Sequence, residues 1–152
     1  MRVVLVSDMY KRGAVESLPR DVQGFVYGLM QQARLSNDDF PKEAVLSAAA
    51  DFYLAETANG GHDGFLGNLS SFPVTLELIR DGLTLTGLDE VAGVFAALLD
   101  YQEMDPPGFE AADWSDPGFG SLDSRLHALR PAAYRTLANW LEAQPFISIV
   151  PA

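Results

Sequence analysis

The chain has no cysteine among its 152 residues. That absence excludes disulfides, thiolate metal sites and cysteine nucleophiles, and it gives no sign of an oxidising compartment. Histidine is nearly absent too, with only His62 and His127. Long apolar runs are missing from the start, where Val3–Val6 is the longest stretch in "MRVVLVSDMYKRG". A signal peptide needs a longer run and a membrane span needs about 20 residues, so the expected location is the cytoplasm. Most telling is the absence of bases from residues 81–124, a stretch that carries ten acids and no lysine or arginine.

The rest of the charge is nearly balanced. Residues 1–80 hold ten acids and seven bases, and residues 125–152 hold one acid and three bases. The net charge of −11 therefore comes almost entirely from one continuous third of the chain. Phosphates and anionic membrane surfaces are recognised by lysine and arginine, so direct binding to nucleic acid or to a membrane is disfavoured. A basic partner suits such a surface. The apolar fraction of 48% is that of a globular protein with one real core.

Periodicity predicts a mainly α, single compact domain of six or seven helices. Val22, Phe25, Val26, Leu29 and Ala33 share a face over about 19–35. Pro41 opens a second helix to about Ala58, with Val45, Ala49, Phe52 and Tyr53 on its apolar side and Glu43, Ser47 and Asp51 on its wet side. Glu56 projects from the apolar side of that helix and needs a partner or a route to water. Pro73 opens a short helix to about Arg80. A buried helix follows from Leu88 to about Met104, with Thr86 and Asp89 in a capping arrangement. Asp105–Gly120 reads as a loop by its prolines and glycines. Leu122–Leu129 then reads as a short helix, and Pro131 as the start of the last. "FISIV" at 146–150 reads as a strand whose evident mate is "VVLV" at 3–6, which brings both ends together.

The stretch that invites a chemical reading is "AETANGGHDGFLGN", residues 55–68, with four glycines, two asparagines and the pair His62–Asp63. Metal-dependent phosphohydrolase chemistry on an adjacent His-Asp pair needs a further histidine upstream, and none precedes His62. A phosphate loop would end in Gly-Lys-Ser/Thr after a strand, and this stretch does neither. No Gly-x-Ser-x-Gly elbow exists for a serine nucleophile. No cofactor and no metal is expected. An enzyme or small-molecule site built from Glu56, Asn59, His62, Asp63 and Asn68 stays open as the alternative, as does an immunity-type protein with a narrow partner.

The same motif carries a resemblance. "FPKEAVLSAAADFYLAETANGGHDGFLGN" resembles the bacterial DNA-mimic-protein family, through Asn59, Gly60, Gly61, Phe65 and Asn68, and "GLTLTGLDEVAGVFAALLDY" resembles a second block of that family. The resemblance implies a helical fold and, for the member that gave the name, an acidic surface that occupies the DNA-binding face of a regulator. On that basis Glu56, Asn59, Gly60, Gly61, Phe65 and Asn68 form a structural motif. The acids Asp100, Glu103, Asp105, Glu110, Asp113 and Asp116 are the candidate contacts to a basic protein, for which a DNA-binding transcription regulator is the expected class. Arg125, Arg130 and Arg135 would weaken that surface if they folded back onto it.

Overall fold

A computed structural model describes residues 4–104 and 117–151. Strand β1 (Val4–Ser7) leads through a 3-10 turn (Asp8–Arg12) into α1 (Ser17–Ala33). Helix α2 (Lys42–Asn68), α3 (Leu76–Leu85), α4 (Asp89–Met104) and α5 (Pro117–Glu142) follow, and β2 (Ile147–Val150) closes the order. The mainly α class is as expected. The helices number five among the described residues, in part because one expected break is absent. Leu122–Leu129 and the segment after Pro131 form one helix, and that helix already begins at Pro117, inside the expected loop.

Pro131 interrupts the hydrogen bonding of α5 without ending it. Its missing N–H frees the carbonyl of His127, four residues earlier and exposed, which water can serve. On either side, Leu122 and Leu126 before it and Tyr134, Leu137 and Leu141 after it are buried in one core. Packing at both ends holds the helix continuous where local propensity would break it.

Helix α2 is the centre of the molecule. Residues 44–55 are all buried, and α1, α3 and α5 pack around it. The expected wet side is therefore wrong for two of its three residues: Ser47 and Asp51 are buried, and only Glu43 is exposed. Arg20 of α1 covers that side and donates from Nε to Asp51 Oδ2 at 3.0 Å, while its Nη2 reaches Tyr134 Oη of α5 at 3.4 Å. Burial pushes the Asp51 carboxyl up to about 6, and the nearby Arg20 only partly offsets this. From the other end, burial lowers the Arg20 guanidinium but Asp51 raises it on balance. Asp51 is wholly buried and Arg20 half-exposed, so the desolvation of the carboxylate governs the pair.

The two strands pair in parallel, Val4 opposite Ile147 and Ser7 opposite Val150. This is the expected joining of the two end segments. Val4 and Val6 face the core, and Leu5 between them faces outward. Helix α3 starts at the cap Thr75, whose hydroxyl accepts from Leu78 N at 3.1 Å. The Thr86 hydroxyl instead donates back to Gly82 O at 2.8 Å, so the expected capping of α4 by Thr86 does not form.

Gly82 is where α3 touches α2 most closely. A Cβ there would stand 2.1 Å from the Leu46 carbonyl oxygen, an approach that no side chain permits. Gly82→Ala is expected to cost about 3 kcal/mol, since backbone rather than a side chain must move. Gly93→Ala, at an exposed position of α4 with open space around it, should instead stabilise by about 0.5–1 kcal/mol. Thermal melts of both variants against wild type check the contrast; equal melting would mean that α2 and α3 do not meet as described.

Candidate functional site

The motif at residues 55–68 is a kink inside α2. Gly60 departs from helical geometry at φ −141° and ψ 17°, and Gly61 adopts φ 63° and ψ −170°, a region that side chains resist. The helix resumes at once, so its second arm needs caps that the chain before it does not supply. Asp123 of α5 supplies one from outside. Its Oδ1 accepts from the His62 backbone N–H at 2.9 Å and from the His62 ring at Nδ1 at 2.5 Å. A carboxylate at the start of a helical arm is also favoured by the helix dipole. The same carboxylate fills the space a Gly61 side chain would need, 2.6 Å from a Cβ built there.

The far side of the ring completes a buried chain of polar groups. His62 Nε2 lies 2.7 Å from Tyr53 Oη, and both residues are buried. An ionised Asp123 only accepts, so Nδ1 carries the proton, and Nε2 of the neutral ring accepts from the Tyr53 hydroxyl. Burial lowers the His62 pKa, with the Asp123 contacts opposing it, and burial also raises the Tyr53 hydroxyl. Both shifts favour the neutral pair. Phe65, on the second arm, packs its ring against Tyr53 at 5.1 Å, Phe52 at 6.0 Å and Phe95 of α4 at 6.5 Å.

The remaining motif residues separate. Asn68 Nδ2 donates to Glu56 Oε2 at 2.8 Å, which gives Glu56 its partner and ties the two arms of the kink. Asn59 is exposed and Asp63 half-buried, and neither bonds another described residue through its side chain. Thus Glu56, Asn59, His62, Asp63 and Asn68 do not act as one set. Both nitrogens of the His62 ring are taken by protein groups, and neither that ring nor Tyr53 is open to a ligand in this arrangement. Among the described residues no group of three or more His, Asp or Glu could hold a metal ion. Asp123 is the residue that sequence reasoning missed. It is one of ten acids in a base-free stretch, and only the packing of α5 on α2 singles it out.

Of the six candidate contact acids, Asp100 is exposed on α4. Glu103 belongs to the last turn of α4, with its side chain outside the described part, and Asp105, Glu110, Asp113 and Asp116 lie outside the described residues. Asp89 and Glu90, not among those six, are exposed in the first turn of α4. Among the described residues, ion pairs within 4.0 Å join Arg20 to Asp51, and Arg80 to Glu77 and Asp81; none takes Asp89, Glu90 or Asp100. Arg130 turns inward, its Nη2 3.4 Å from Thr57 Oγ1. No helix among the described residues is long and apolar enough to cross a membrane.

The family model described as DMP19-like protein matches residues 38–144. The chain belongs to the DMP19-like family. That match runs from the turn before α2 to the end of α5, so it includes the kink and all of α4. Neither the curated proteins nor the solved structures compared with the chain contain a match to it.

Two consequences of the kink are measurable in this family member. Gly61→Ala should cost about 2 kcal/mol, from strain at positive φ and displacement of Asp123. Gly60→Ala, at negative φ with open space around it, should change stability by less than about 1 kcal/mol. Equal losses in urea melts would refute the asymmetry. The second concerns pH. The folded pKa of His62 lies below its ordinary 6.5, so the unfolded chain takes up its proton first. The stability this provides is full above pH 6.5 and falls as pH drops below it. Asp51 has the opposite sign, its contribution falling as pH rises from about 4 to about 6. His62→Gln should therefore lose least relative to wild type at pH 5 and most at pH 7.5, as read from melts across that range.

Proposed function

We propose that this DMP19-like protein is a non-enzymatic interaction module that binds a basic DNA-binding protein, presenting carboxylates where DNA presents phosphates. The observation that carries this is the solvent face of α4. Asp89 and Glu90 at its start and Asp100 near its end are exposed, unpaired among the described residues, and set in a stretch without a base. Carboxylates in this state keep their full field, whereas surface pairs such as Arg80–Glu77 and Arg80–Asp81 cancel theirs.

Spacing shapes the reading. Asp89 and Asp100 are separated by about 16 Å of helix axis. The screening length at physiological ionic strength is about 8 Å, so the two ends of α4 act as separate contacts. A partner that uses both must offer cations a similar distance apart, as a protein that grips successive phosphates does. The acids beyond Met104 extend the same base-free segment in sequence.

The immobilised full-length chain, exposed to a cell lysate, should capture a basic DNA-binding protein that double-stranded DNA elutes. Affinity for that partner should fall by at least about tenfold between 50 and 200 mM salt, as counterion-linked binding does. Asp89→Asn with Glu90→Gln and Asp100→Asn should weaken it further, at a cost to stability of no more than about 1–2 kcal/mol from the lost helix-dipole contacts. A salt-independent affinity, or a partner indifferent to DNA, would sink the proposal.

A further inference from the structure

A groove of about 350 Å³ opens between the start of α4 and the middle of α5, away from the kink. Leu88, Val91, Leu129, Ala132 and Ala133 give it apolar walls. Gly87, Asp89, Glu90 and Thr136 complete the lining, so its charged groups are two acids and no base. Leu88, Val91 and Ala133 are buried at its floor, whereas Asp89, Glu90, Ala132 and Thr136 are exposed at its mouth.

We infer that this groove is the docking site for a single lysine or arginine side chain of the partner. This rests on the reading of the chain as a binder of basic proteins and names where one contact falls. Lysine and arginine carry an aliphatic stem and a charged tip, and they lay the stem on apolar surface while the tip stays at a polar edge. The groove offers that order of surfaces, apolar inside and anionic at the mouth. Its volume is at the small end of ligand cavities, which run from about 300 to 1,000 Å³, and so suits one long side chain better than a cofactor.

The start of α4 contributes a partial positive charge, which on its own favours an anion. That charge is about half a unit, against two full carboxylates in the same turn, so the mouth is net negative. The groove holds a cation for this reason. Its walls add apolar contact for the stem to the steering that the carboxylates supply.

The test is a titration of the ¹⁵N-labelled full-length chain with heptalysine, followed by amide NMR, with inorganic phosphate as the opposite probe. Heptalysine should shift the amides of Gly87–Val91 and Leu129–Thr136. Ala132→Phe fills the groove from an exposed position without changing charge, and it should weaken that response by about fivefold, the scale of one exposed contact. The response at the Asp100 end of α4 should stay the same. Asp89→Asn with Glu90→Gln should weaken the groove response without altering the fold. If heptalysine shifts only the Asp100 end, or if Ala132→Phe changes nothing, the groove assignment is overturned while the acidic-module reading stands. If phosphate and not heptalysine shifts the groove amides, the site takes anions and the assignment is wrong. If heptalysine shifts nothing at any site, both readings fail together.

Discussion

A helical stretch surrounded on every side has no wet face on which to leave a polar group, and residues 44–55 of α2 are such a stretch. The buried polar side chains of α2 find partners in neighbouring helices or in the helix itself, although Asp51 Oδ1 has none. Ser47 and Thr57 turn back on carbonyls of their own helix, Ser47 to Ala44 O at 3.1 Å and Thr57 to Tyr53 O at 2.6 Å. Asp51 is answered by Arg20 from α1, and His62 by Asp123 from α5. These last two bonds join helices far apart in sequence, so the burial of α2 sets the positions of α1 and α5. Apolar packing would tolerate small slides of one helix on another. A buried carboxylate or imidazole does not, because losing its partner leaves an uncompensated polar group.

The kink follows from the same constraint. A straight α2 would carry Phe65 on along the original axis; the break at Gly60 and Gly61 redirects the second arm so that Phe65 stacks on Phe52, Tyr53 and Phe95. Breaking a helix exposes new N–H groups, and Asp123 takes the one on His62. Glycine at 61 is required twice over, by its positive φ and by the carboxylate that stands where a side chain would be. Gly60 needs neither. A pair of adjacent glycines thus has one member under tight constraint and one nearly free.

Much of this fold could be read from the sequence, and the misreadings share a cause. Apolar spacing placed α1, the start of α2 and α4, and the short β-branched runs placed both strands and their pairing. The four-residue spacing of Ser47 and Asp51 looks the same whether water or Arg20 lies opposite, so it points to solvent where the structure buries both. Pro131 was read as a helix start because local propensity stops there, while the core residues on both sides of it carry α5 through. His62 could be singled out by its rarity, yet its role depends on Asp123, 61 residues away and indistinguishable in sequence from nine neighbouring acids. Periodicity reports which side of an element is apolar. It does not report which distant element supplies a counter-charge.

The division of charge in the fold bears on function through the cations more than through the acids. Arg20 is engaged by the buried Asp51, and Arg130 reaches toward Thr57 with its Nε buried. Of the three arginines placed to neutralise the acidic stretch, the structure turns Arg130 inward, and neither Arg125 nor Arg135 forms an ion pair among the described residues. The buried polar groups of α2 thus engage Arg20 and Arg130, while Asp89, Glu90 and Asp100 of α4 form no ion pair among the described residues.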